Sequence, residues 1–279
     1  MNPTSPLILE YREQCPRGDL GRQVRRLWAL RAPAGGIATF EPVLPDGCPE
    51  LVFNLAEPFE RAHTEYTELQ PTVLLAGQML GPLLVRPTGA VDLVGVRFHP
   101  WGARRFGEVA VRDLVDHILP DDAIAGVAGL RDALAATFHL EERLALLEKE
   151  LGRRGGAAAP SPPASVRTLA TGLGSVSLVA HQAGISSRHL ERLSQDWVGL
   201  PPGQLVRLLR FQRALRRLSH RRAVPLARVA LETGYADQAH LTREFRRYSG
   251  MTPSIFRAGV GRLTESFIEA TTDGEEVPG

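Results

Sequence analysis

The segment "GYADQAHLTREFRRYSGMTP", residues 234–253, has the pattern of a short amphipathic helix that ends on Gly-x-x-Pro. Leu241, Phe245 and Tyr248 recur at helical spacing and form its apolar face. Asp237 stands where a polar residue caps the first turn of a helix. The opposite face is polar and carries Gln238, His240, Thr242, Arg243 and Arg246. A solvated surface helix has this pattern, and so does a helix that lies against a phosphate backbone.

A second copy of the pattern lies earlier in the chain. Residues 179–202, "VAHQAGISSRHLERLSQDWVGLPP", align with residues 229–253, "VALETGYADQAHLTREFRRYSGMTP", which have one extra residue after their first glycine. The matching positions are Leu190 with Leu241, Arg192 with Arg243, Trp197 with Tyr248, Gly199 with Gly250 and Pro202 with Pro253. The repeat indicates a duplicated structural unit.

Each copy predicts a helix-turn-helix. A short apolar helix ends at Gly184 in the first copy and at Gly234 in the second, where glycine tolerates the positive φ of a helix end. A polar residue then caps a second helix: Ser186 or Ser187 in the first copy, and Asp237 in the second. We expect these second helices over residues 186–197 and 237–248.

The polar faces of the second helices are the candidate DNA-binding site. Arginine donates two hydrogen bonds to guanine and glutamine pairs with adenine when the start of such a helix enters a major groove. The candidates are Ser187, Arg188, Glu191, Arg192 and Gln195 in the first copy, and Gln238, Ala239, His240, Thr242, Arg243 and Arg246 in the second. Two alternatives stay open: Arg192 and Arg243 as ordinary surface arginines, and His240 as a residue that caps and packs its own helix.

Residues 202–219 predict one helix that joins the two units. Its buried seam is formed by Leu205, Leu208, Leu209, Gln212 and Leu215, whereas Arg207, Arg210, Arg213, Arg216 and Arg217 point elsewhere. A helix of about 16 residues spans about 24 Å at ~1.5 Å per residue. Such a rod suits two units placed roughly one DNA turn, ~34 Å, apart. We expect roughly half of these arginines to form surface ion pairs at most and the rest to contact phosphate.

Positive charge is concentrated in this part of the chain. Residues 160–262 contain 16 Arg and 5 acidic residues, a net charge of +11, whereas residues 1–159 carry −4 and residues 263–279 carry −5. A basic module of this kind indicates a polyanion partner. Two cysteines are too few for a disulfide framework, and no apolar run approaches the ~20 residues of a membrane span. A cytoplasmic protein without membrane contact is therefore expected.

The predicted fold class is α+β, with four regions along the chain. Residues 1–152 predict a β-rich domain followed by helices, residues 153–164 a linker, residues 165–260 an all-α domain of two helix-turn-helix units, and residues 261–279 an acidic, disordered tail. The strand signals "ELVFNL", "TVLLAG" and "VDLVGVRF" lie before residue 100. The segments "VRDLVDHIL" (111–119), "GLRDALAATF" (129–138) and "EERLALLEKEL" (141–151) have helical spacing. The predicted helices within residues 121–151 either cover the N-terminal core or mediate dimerisation.

Residues 163–258 resemble the C-terminal DNA-binding domain of the AraC/XylS family. The resemblance is carried by the two copies, the joining helix, and "GYADQAHLTREFRRYSGMTPSIFR" with its Gly-Tyr, His-Leu-x-Arg-x-Phe and Gly-x-x-Pro-x-x-Phe-Arg positions. It implies a bacterial, sequence-specific transcription regulator and not an enzyme, with two recognition helices in adjacent major-groove segments of double-stranded DNA. By motif position, the base-facing residues would be Arg188, Glu191 and Arg192, and then Gln238, Ala239, His240, Thr242 and Arg243.

The N-terminal segments "LPDGCPELVFNL", Gly77-Gln78 and "VDLVGVRFHPWGARRFG" resemble an uncharacterised domain found before this module in some AraC-like proteins. The resemblance implies a sensing or regulatory role with a small-molecule effector of unknown identity. No cupin-like metal pattern is present, and neither a metal nor a cofactor is predicted. Contact with RNA polymerase and formation of a homodimer are compatible with a regulator of this kind.

Two alternative functions belong to other classes. Asp46, Cys48 and Glu50 lie close together after a turn, and an enzyme or alkylation-response protein targeted to DNA would use Cys15 or Cys48. Such repair regulators need a metal-bound cysteine cluster, which two cysteines do not supply. The sequence contains no Gly-rich phosphate loop, HExxH or GxSxG motif. A non-specific nucleoid-binding protein is the other alternative, and the distinct polar faces of the two helices argue against it.

Overall fold

The computed structural model describes residues 9–35, 37–105, 109–124, 127, 129–154, 161–220, 224–261, 263–266 and 268. Antiparallel sheets form the N-terminal part of the chain, and helices form the C-terminal part. The predicted α+β class is confirmed.

The described strands form two antiparallel sheets. One sheet has the order β1-β2-β9-β4-β7-β10, and the other has the order β3-β8-β5-β6. The strands are β1 (Glu10–Gln14), β2 (Val24–Ala32), β3 (Glu41–Val43), β4 (Glu50–Asn54), β5 (Phe59–Ala62), β6 (Thr67–Leu69), β7 (Val73–Ala76), β8 (Leu83–Pro87), β9 (Val91–Phe98) and β10 (Ile118–Pro120). The three segments with the strongest strand signals became β4, β7 and β9, all inside the larger sheet, where strands are buried.

Alternation along β4 places Leu51 and Phe53 in the core with no exposed surface. On the neighbouring strands, Gly95 of β9 lies opposite Trp28 of β2. A Cβ atom at Gly95 would lie 2.2 Å from the indole ring. The glycine in "VDLVGVRF" therefore makes room for a large buried side chain.

Two helices follow the sheets: α1 (Leu130–Ala135) and α2 (Leu140–Arg154). Leu134 and Leu147 are fully buried against strand residues, so these helices cover the larger sheet. The predicted helix over residues 111–119 is wrong. Residues Val111–Leu114 form a single 3-10 turn, and the chain then pairs with β7 as the edge strand β10. Asp116 causes the break, because it has a φ of 58° and its carboxylate accepts a hydrogen bond from the Leu80 N–H group at 2.7 Å.

The C-terminal helices are α3 (Ala164–Ala170), α4 (Val176–Gln182), α5 (Ser187–Val198), α6 (Pro202–His220), α7 (Leu226–Thr233), α8 (Gln238–Ser249) and α9 (Pro253–Ala258). The predicted helices over residues 186–197, 202–219 and 237–248 match α-helices of the structure to within one residue at each end. The predicted seam of the joining helix α6 is confirmed, because Leu205, Leu208, Gln212 and Leu215 are buried and Leu209 is half-buried.

The N-terminal sheets and the C-terminal helices pack against each other. Leu44 is buried within the helical core, and Leu80, Trp101 and Val115 pack on the same cluster. In α6, the Gln212 amide donates a 2.6 Å hydrogen bond to the carbonyl oxygen of Pro45. The joining helix therefore contacts the sheets directly.

The predicted tail is wrong where the structure describes it. Residues 263–266 are helical, Leu263 is fully buried among sheet residues, and the backbone N–H of Thr264 donates to the carboxylate of Glu41 at 3.1 Å. Apolar Leu263 and Ile268 make this packing favourable despite the acidic residues around them. All of residues 269–279 and half of the predicted linker, residues 155–160, lie outside the described residues. The division into domains stays a prediction.

No helix among the described residues has the length and apolar character needed to cross a membrane.

Candidate nucleic-acid interface

The first helix-turn-helix unit is formed by α4 and α5. The α4 helix begins at the N-cap Ser175, whose hydroxyl accepts the Leu178 N–H group, and its C-terminal turn passes through Gly184 with a φ of 64°. Ser186, and not Ser187, caps α5, because its hydroxyl accepts the His189 N–H group at 3.2 Å. A left-handed glycine, Gly199, ends α5.

The second unit, α7 and α8, repeats this geometry. Gly234 ends α7 with a φ of 82°, and Gly250 ends α8 with a φ of 76°. The carboxylate of Asp237 accepts the His240 N–H group at 2.7 Å, so the predicted cap is confirmed. The four glycines at the helix ends thus occupy the left-handed region in both copies, as the sequence repeat requires.

An aromatic cluster fixes the second recognition helix, α8, on the joining helix. The ring of Phe211 in α6 lies 5.2 Å from the rings of both Phe245 and Tyr248, and Phe245 lies 5.5 Å from Phe256 of α9. In the first unit, Ser194 occupies the position that matches Phe245; it is fully buried, and its hydroxyl donates to the Leu200 carbonyl oxygen at 2.6 Å. The second recognition helix, α8, therefore packs on α6 through aromatic rings, whereas the first, α5, has a buried hydrogen bond at the matching position.

Most predicted base-reading side chains are exposed on the recognition helices. The exposed residues are Ser187, Arg188, Glu191 and Arg192 on α5, and Gln238, Ala239, Arg243 and Arg246 on α8. Within the described part of the chain, the side chains of Arg188, Arg192, Arg243 and Arg246 form no hydrogen bond or ion pair. Their guanidinium groups face solvent with all donors available.

Three predicted residues are half-buried instead. The ring of His240 packs edge-on against Tyr235 at 5.2 Å, and the Thr242 hydroxyl donates to the Gln238 carbonyl oxygen at 2.8 Å. Gln195 lies at the last turns of α5, where it lines an open groove with residues 109–112. The structure therefore packs His240 on the turn before its helix, gives Thr242 a hydrogen bond within its helix, and places Gln195 beside the N-terminal half.

Several arginines of the joining helix are engaged inside the protein. Arg213 donates to the Gly172 carbonyl oxygen at 2.7 Å, and Arg210 lies 5.6 Å from the ring centre of Tyr235. Arg217 and Arg228 flank Glu232 at 2.6 and 2.8 Å, and their hydrogen bonds lower the pKa of that exposed carboxyl group to about 2. These side chains connect α6 to its neighbours, while Arg207 remains exposed.

The sequence did not reveal that the N-terminal half touches both recognition helices. The guanidinium of Arg104 lies 4.7 Å from the ring centre of Trp197, and a Cβ atom at Gly199 would lie 2.6 Å from the Val111 carbonyl oxygen. At the end of α8, a Cβ atom at Gly250 would lie 3.4 Å from Pro82. The arginine pair in "WGARRFG" was the available signal, but residues so far apart in the sequence give no indication that they meet.

The two cysteines differ in environment. Cys15 is exposed, with its Sγ 2.8 Å from the Arg26 guanidinium. Cys48 is buried, and burial raises its thiol pKa to about 12 although Arg25 lies 3.8 Å away. The Cys48 thiol is therefore protonated at neutral pH and lacks the thiolate that covalent chemistry requires. The described residues contain no group of three or more His, Cys, Asp or Glu that could hold a metal ion.

A cavity of about 120 Å³ lies between the two sheets. Its walls are mostly apolar and include Val52, Phe59 and Leu93, while Gln212 and Leu215 of the joining helix form one side. The Asp46, Cys48 and Glu50 cluster noted in the sequence also lines it. The cavity thus borders both the sheets and the helix that carries the two helix-turn-helix units.

Two capped helix-turn-helix units on a shared helix, each with exposed arginines that have no partner among the described residues, are the features of a DNA-binding protein. Residues 179–259 match a helix-turn-helix domain family, and residues 12–120 match a domain of unknown function (DUF6597). The chain is 32% identical over 98 residues to "Probable transcription factor PqrA" of Proteus vulgaris, a match that covers 35% of this chain and 80% of that protein. It is 33% identical over 82 residues to an uncharacterised helix-turn-helix regulator of Haemophilus influenzae, covering 29% of this chain and 27% of that protein.

Matches among solved structures include ToxT from Vibrio cholerae, which covers 91% of this chain and 98% of its own at 7% identity and a TM-score of 0.45. The C-terminal domain of AraT, a response regulator from Geobacillus stearothermophilus, covers 36% of this chain and 88% of its own at 20% identity and a TM-score of 0.33. The chain belongs to the AraC/XylS family and is a DNA-binding transcription regulator.

Proposed function

We propose that α5 and α8 read adjacent major-groove segments on one face of the duplex. The observation that carries this proposal is the pair of matching arginines, Arg192 and Arg243, which are both exposed and have no partner in the described residues. Arginine at such a position suits bidentate recognition of guanine. Arg188, Glu191, Gln238 and Ala239 are exposed on the same helices, and Ser187, Arg246 and the half-buried Gln195, His240 and Thr242 complete the proposed interface.

The positions along each helix support different roles. Residues near the start of a recognition helix meet base edges, whereas residues farther along meet the backbone. We therefore assign base contacts to Arg188, Arg192, Gln238 and Arg243, and a phosphate contact to Arg246. His240 and Thr242 support the helix through their own contacts, and their remaining polar atoms stay available to DNA.

We further propose that the N-terminal half senses a small-molecule effector. Support comes from the cavity between the sheets, which one face of α6 helps to close. A ligand there would contact the joining helix and bias the protein between DNA-competent and DNA-incompetent arrangements. Contact with RNA polymerase and a homodimer belong to the same proposal, as does a cytoplasmic location.

The test is selection of binding sites from random duplex DNA with the full-length protein at moderate salt. We expect an enriched site with two groups of specified base pairs roughly one helical turn apart. Equal affinity for all duplexes would overturn the proposal and favour the non-specific nucleoid binder. An enriched site with a single group of specified base pairs would limit sequence reading to one recognition helix.

A further inference from the structure

A buried glutamine interrupts the leucine seam of the joining helix α6. Gln212 is 4% exposed, and its neighbours along the seam are Leu208, Leu209 and Leu215. Burial of an amide group is costly unless the group is hydrogen-bonded. Nε2 of Gln212 donates to the carbonyl oxygen of Pro45 at 2.6 Å, so the partner belongs to the N-terminal half and not to the C-terminal helices. The seam therefore contains a residue whose hydrogen bond exists only while the two halves of the protein are docked.

The accepting carbonyl group belongs to a turn, residues 44–48, which we call the linking turn. The linking turn is anchored in the N-terminal half, because Oδ2 of Asp46 lies 3.2 Å from Nε of Arg97 on strand β9. The carbonyl oxygen of Gly47 also accepts a 2.9 Å hydrogen bond from the buried amide of Gln78. These contacts hold the turn on the sheets from its own side of the interface.

The linking turn borders both the cavity and the joining helix. Four of its residues line the cavity: Leu44, Pro45, Asp46 and Cys48. Leu44 is also buried in the core of the C-terminal helices, and a Cβ atom at Gly47 would lie 3.4 Å from the side chain of Leu209 on α6. Any change in the cavity that displaces the linking turn therefore displaces a support of the joining helix.

A glutamine at this place makes the docking reversible. A leucine would expose apolar surface each time the two halves separate, which is unfavourable. The amide of Gln212 instead exchanges the Pro45 carbonyl oxygen for water, and the net free-energy change of such an exchange is small. A hydrogen bond is also directional. Gln212 therefore sets where α6 docks on the linking turn without fixing it there permanently.

We propose that Gln212 is a positioning residue for DNA reading, and that the linking turn transmits the state of the cavity to it. This inference rests on the proposed function, because it takes the docked arrangement as the one that reads DNA. In that arrangement the N-terminal half touches the ends of both recognition helices, at Gly199 and Gly250. Docking therefore preorganises the two helices, and preorganisation lowers the entropic cost of binding. A disturbed turn releases α6 and weakens DNA reading.

The first test removes the donor and keeps the length of the side chain. Gln212→Met should weaken binding to the site selected from random duplex DNA by about two- to tenfold, the effect of one hydrogen bond. Affinity for random duplex should stay unchanged, because the exposed arginines are the same. The control is Gln204→Met on the same helix, because Gln204 is half-buried and does not line the cavity. An unchanged or increased ratio of selected-site to random-duplex affinity in folded Gln212→Met would overturn the inference.

The connection to the cavity is tested by Asp46→Ala, with Asp92→Ala as the matched control. Each carboxylate pairs with an arginine whose side chain is 4% exposed, Arg97 or Arg143, but Asp92 does not line the cavity. Asp46→Ala should weaken binding to the selected site, and Asp92→Ala should not. When Gln212→Met is already present, Asp46→Ala should have little further effect. Full additivity of the two changes, or an equal loss in Asp92→Ala, would contradict transmission through the linking turn.

A measurement on the unaltered protein covers the case in which these variants do not fold. In NMR spectra, the side-chain amide protons of Gln212 should exchange slowly with solvent and should stay protected when the selected DNA site binds. Rapid exchange in the free protein would overturn the inference. Protection that is lost on DNA binding, with sequence preference intact, would defeat this inference alone. Equal affinity of the unaltered protein for all duplexes would instead defeat the proposed DNA reading.

Discussion

The guanidinium of Arg104, in the N-terminal half, lies 4.7 Å from the ring centre of Trp197, on the first recognition helix. Trp197 matches Tyr248 in the repeat, but Tyr248 is buried inside the helical core and Trp197 is only half-buried. A side chain from the sheet half of the protein thus covers part of the aromatic residue of the first recognition helix. The half proposed to sense an effector and a helix proposed to read DNA meet at this contact.

The Arg104 contact has a measurable energy. An exposed cation–π pair is worth about 0.5–1 kcal/mol, so a double-mutant cycle of Arg104→Ala and Trp197→Leu should give a coupling in this range in the free energy of unfolding. Chemical denaturation measures it. Arg112→Ala is the matched control, because Arg112 is exposed and lies in the same segment without a contact to the Trp197 ring. A coupling as large for Arg112 as for Arg104 would contradict the assignment.

Removal of Arg243 should change which sequences are bound. Arg243→Ala should cost about 1–3 kcal/mol in binding to the selected site and relax the preference at one base position. Competition binding against single-base variants of the site measures both effects. Arg247→Ala is the control on the same helix, because the Arg247 guanidinium lies 5.8 Å from the ring centre of Tyr248. If Arg247→Ala relaxes base preference and Arg243→Ala does not, the predicted reading face of α8 is wrong.

Two glycines with the same backbone conformation should differ in their tolerance of alanine. Gly184→Ala places its methyl group in open space, so it should cost about 1–2 kcal/mol of stability from the left-handed φ alone. Gly199→Ala adds a clash with the Val111 carbonyl oxygen at 2.6 Å and should cost more. Thermal unfolding of the two variants gives the comparison. Equal losses of stability in the two variants would indicate that Val111 shifts to accommodate the methyl group added at position 199.

Acid should destabilise the protein through His99. Burial lowers the pKa of His99 from 6.5 to about 4, while the ring stacks on Trp101 at 5.0 Å. Between these values the unfolded chain binds a proton that the folded chain does not, so the free energy of unfolding falls as pH decreases from 6.5 towards 4. The slope from this residue is at most about 1.4 kcal/mol per pH unit. Urea denaturation near neutral pH and near pH 5 should show a smaller difference for His99→Gln than for the unaltered protein, and an equal difference would exclude His99 as the cause.

The helical half was predictable because its signals are local. Glycines at helix ends, the caps Ser186 and Asp237, and the apolar faces around Leu190 and Leu241 each act within a few residues of one another. The repeat supplied a second, independent copy of every signal. Exposure of Arg192 and Arg243 followed from the same periodicity.

The sheet half was less predictable because its contacts are distant in sequence. The segment at residues 111–119 has helical spacing, but the φ of Asp116 and the pairing of Leu119 with Leu75 turn it into an edge strand. The acidic composition of residues 261–279 predicted a disordered tail, although Leu263 is buried against the sheets. Neither the cavity nor the contact at Trp197 has a local signal. The cavity combines residues between Trp28 and Arg97 with Gln212, Leu215 and Ile268, and Arg104 and Trp197 are 93 residues apart.

The N-terminal half touches the far ends of both recognition helices, through Val111 at Gly199 and through Pro82 at Gly250. If the two helices read DNA as proposed, this arrangement holds them at a fixed separation and a fixed relative orientation. Insertion of one base pair between the two halves of a target would rotate one half by about 35° about the duplex axis, given 10–10.5 base pairs per turn. Two recognition helices held in this way cannot follow such a rotation. The helical phase of a target, as well as its bases, would therefore decide whether this regulator recognises it.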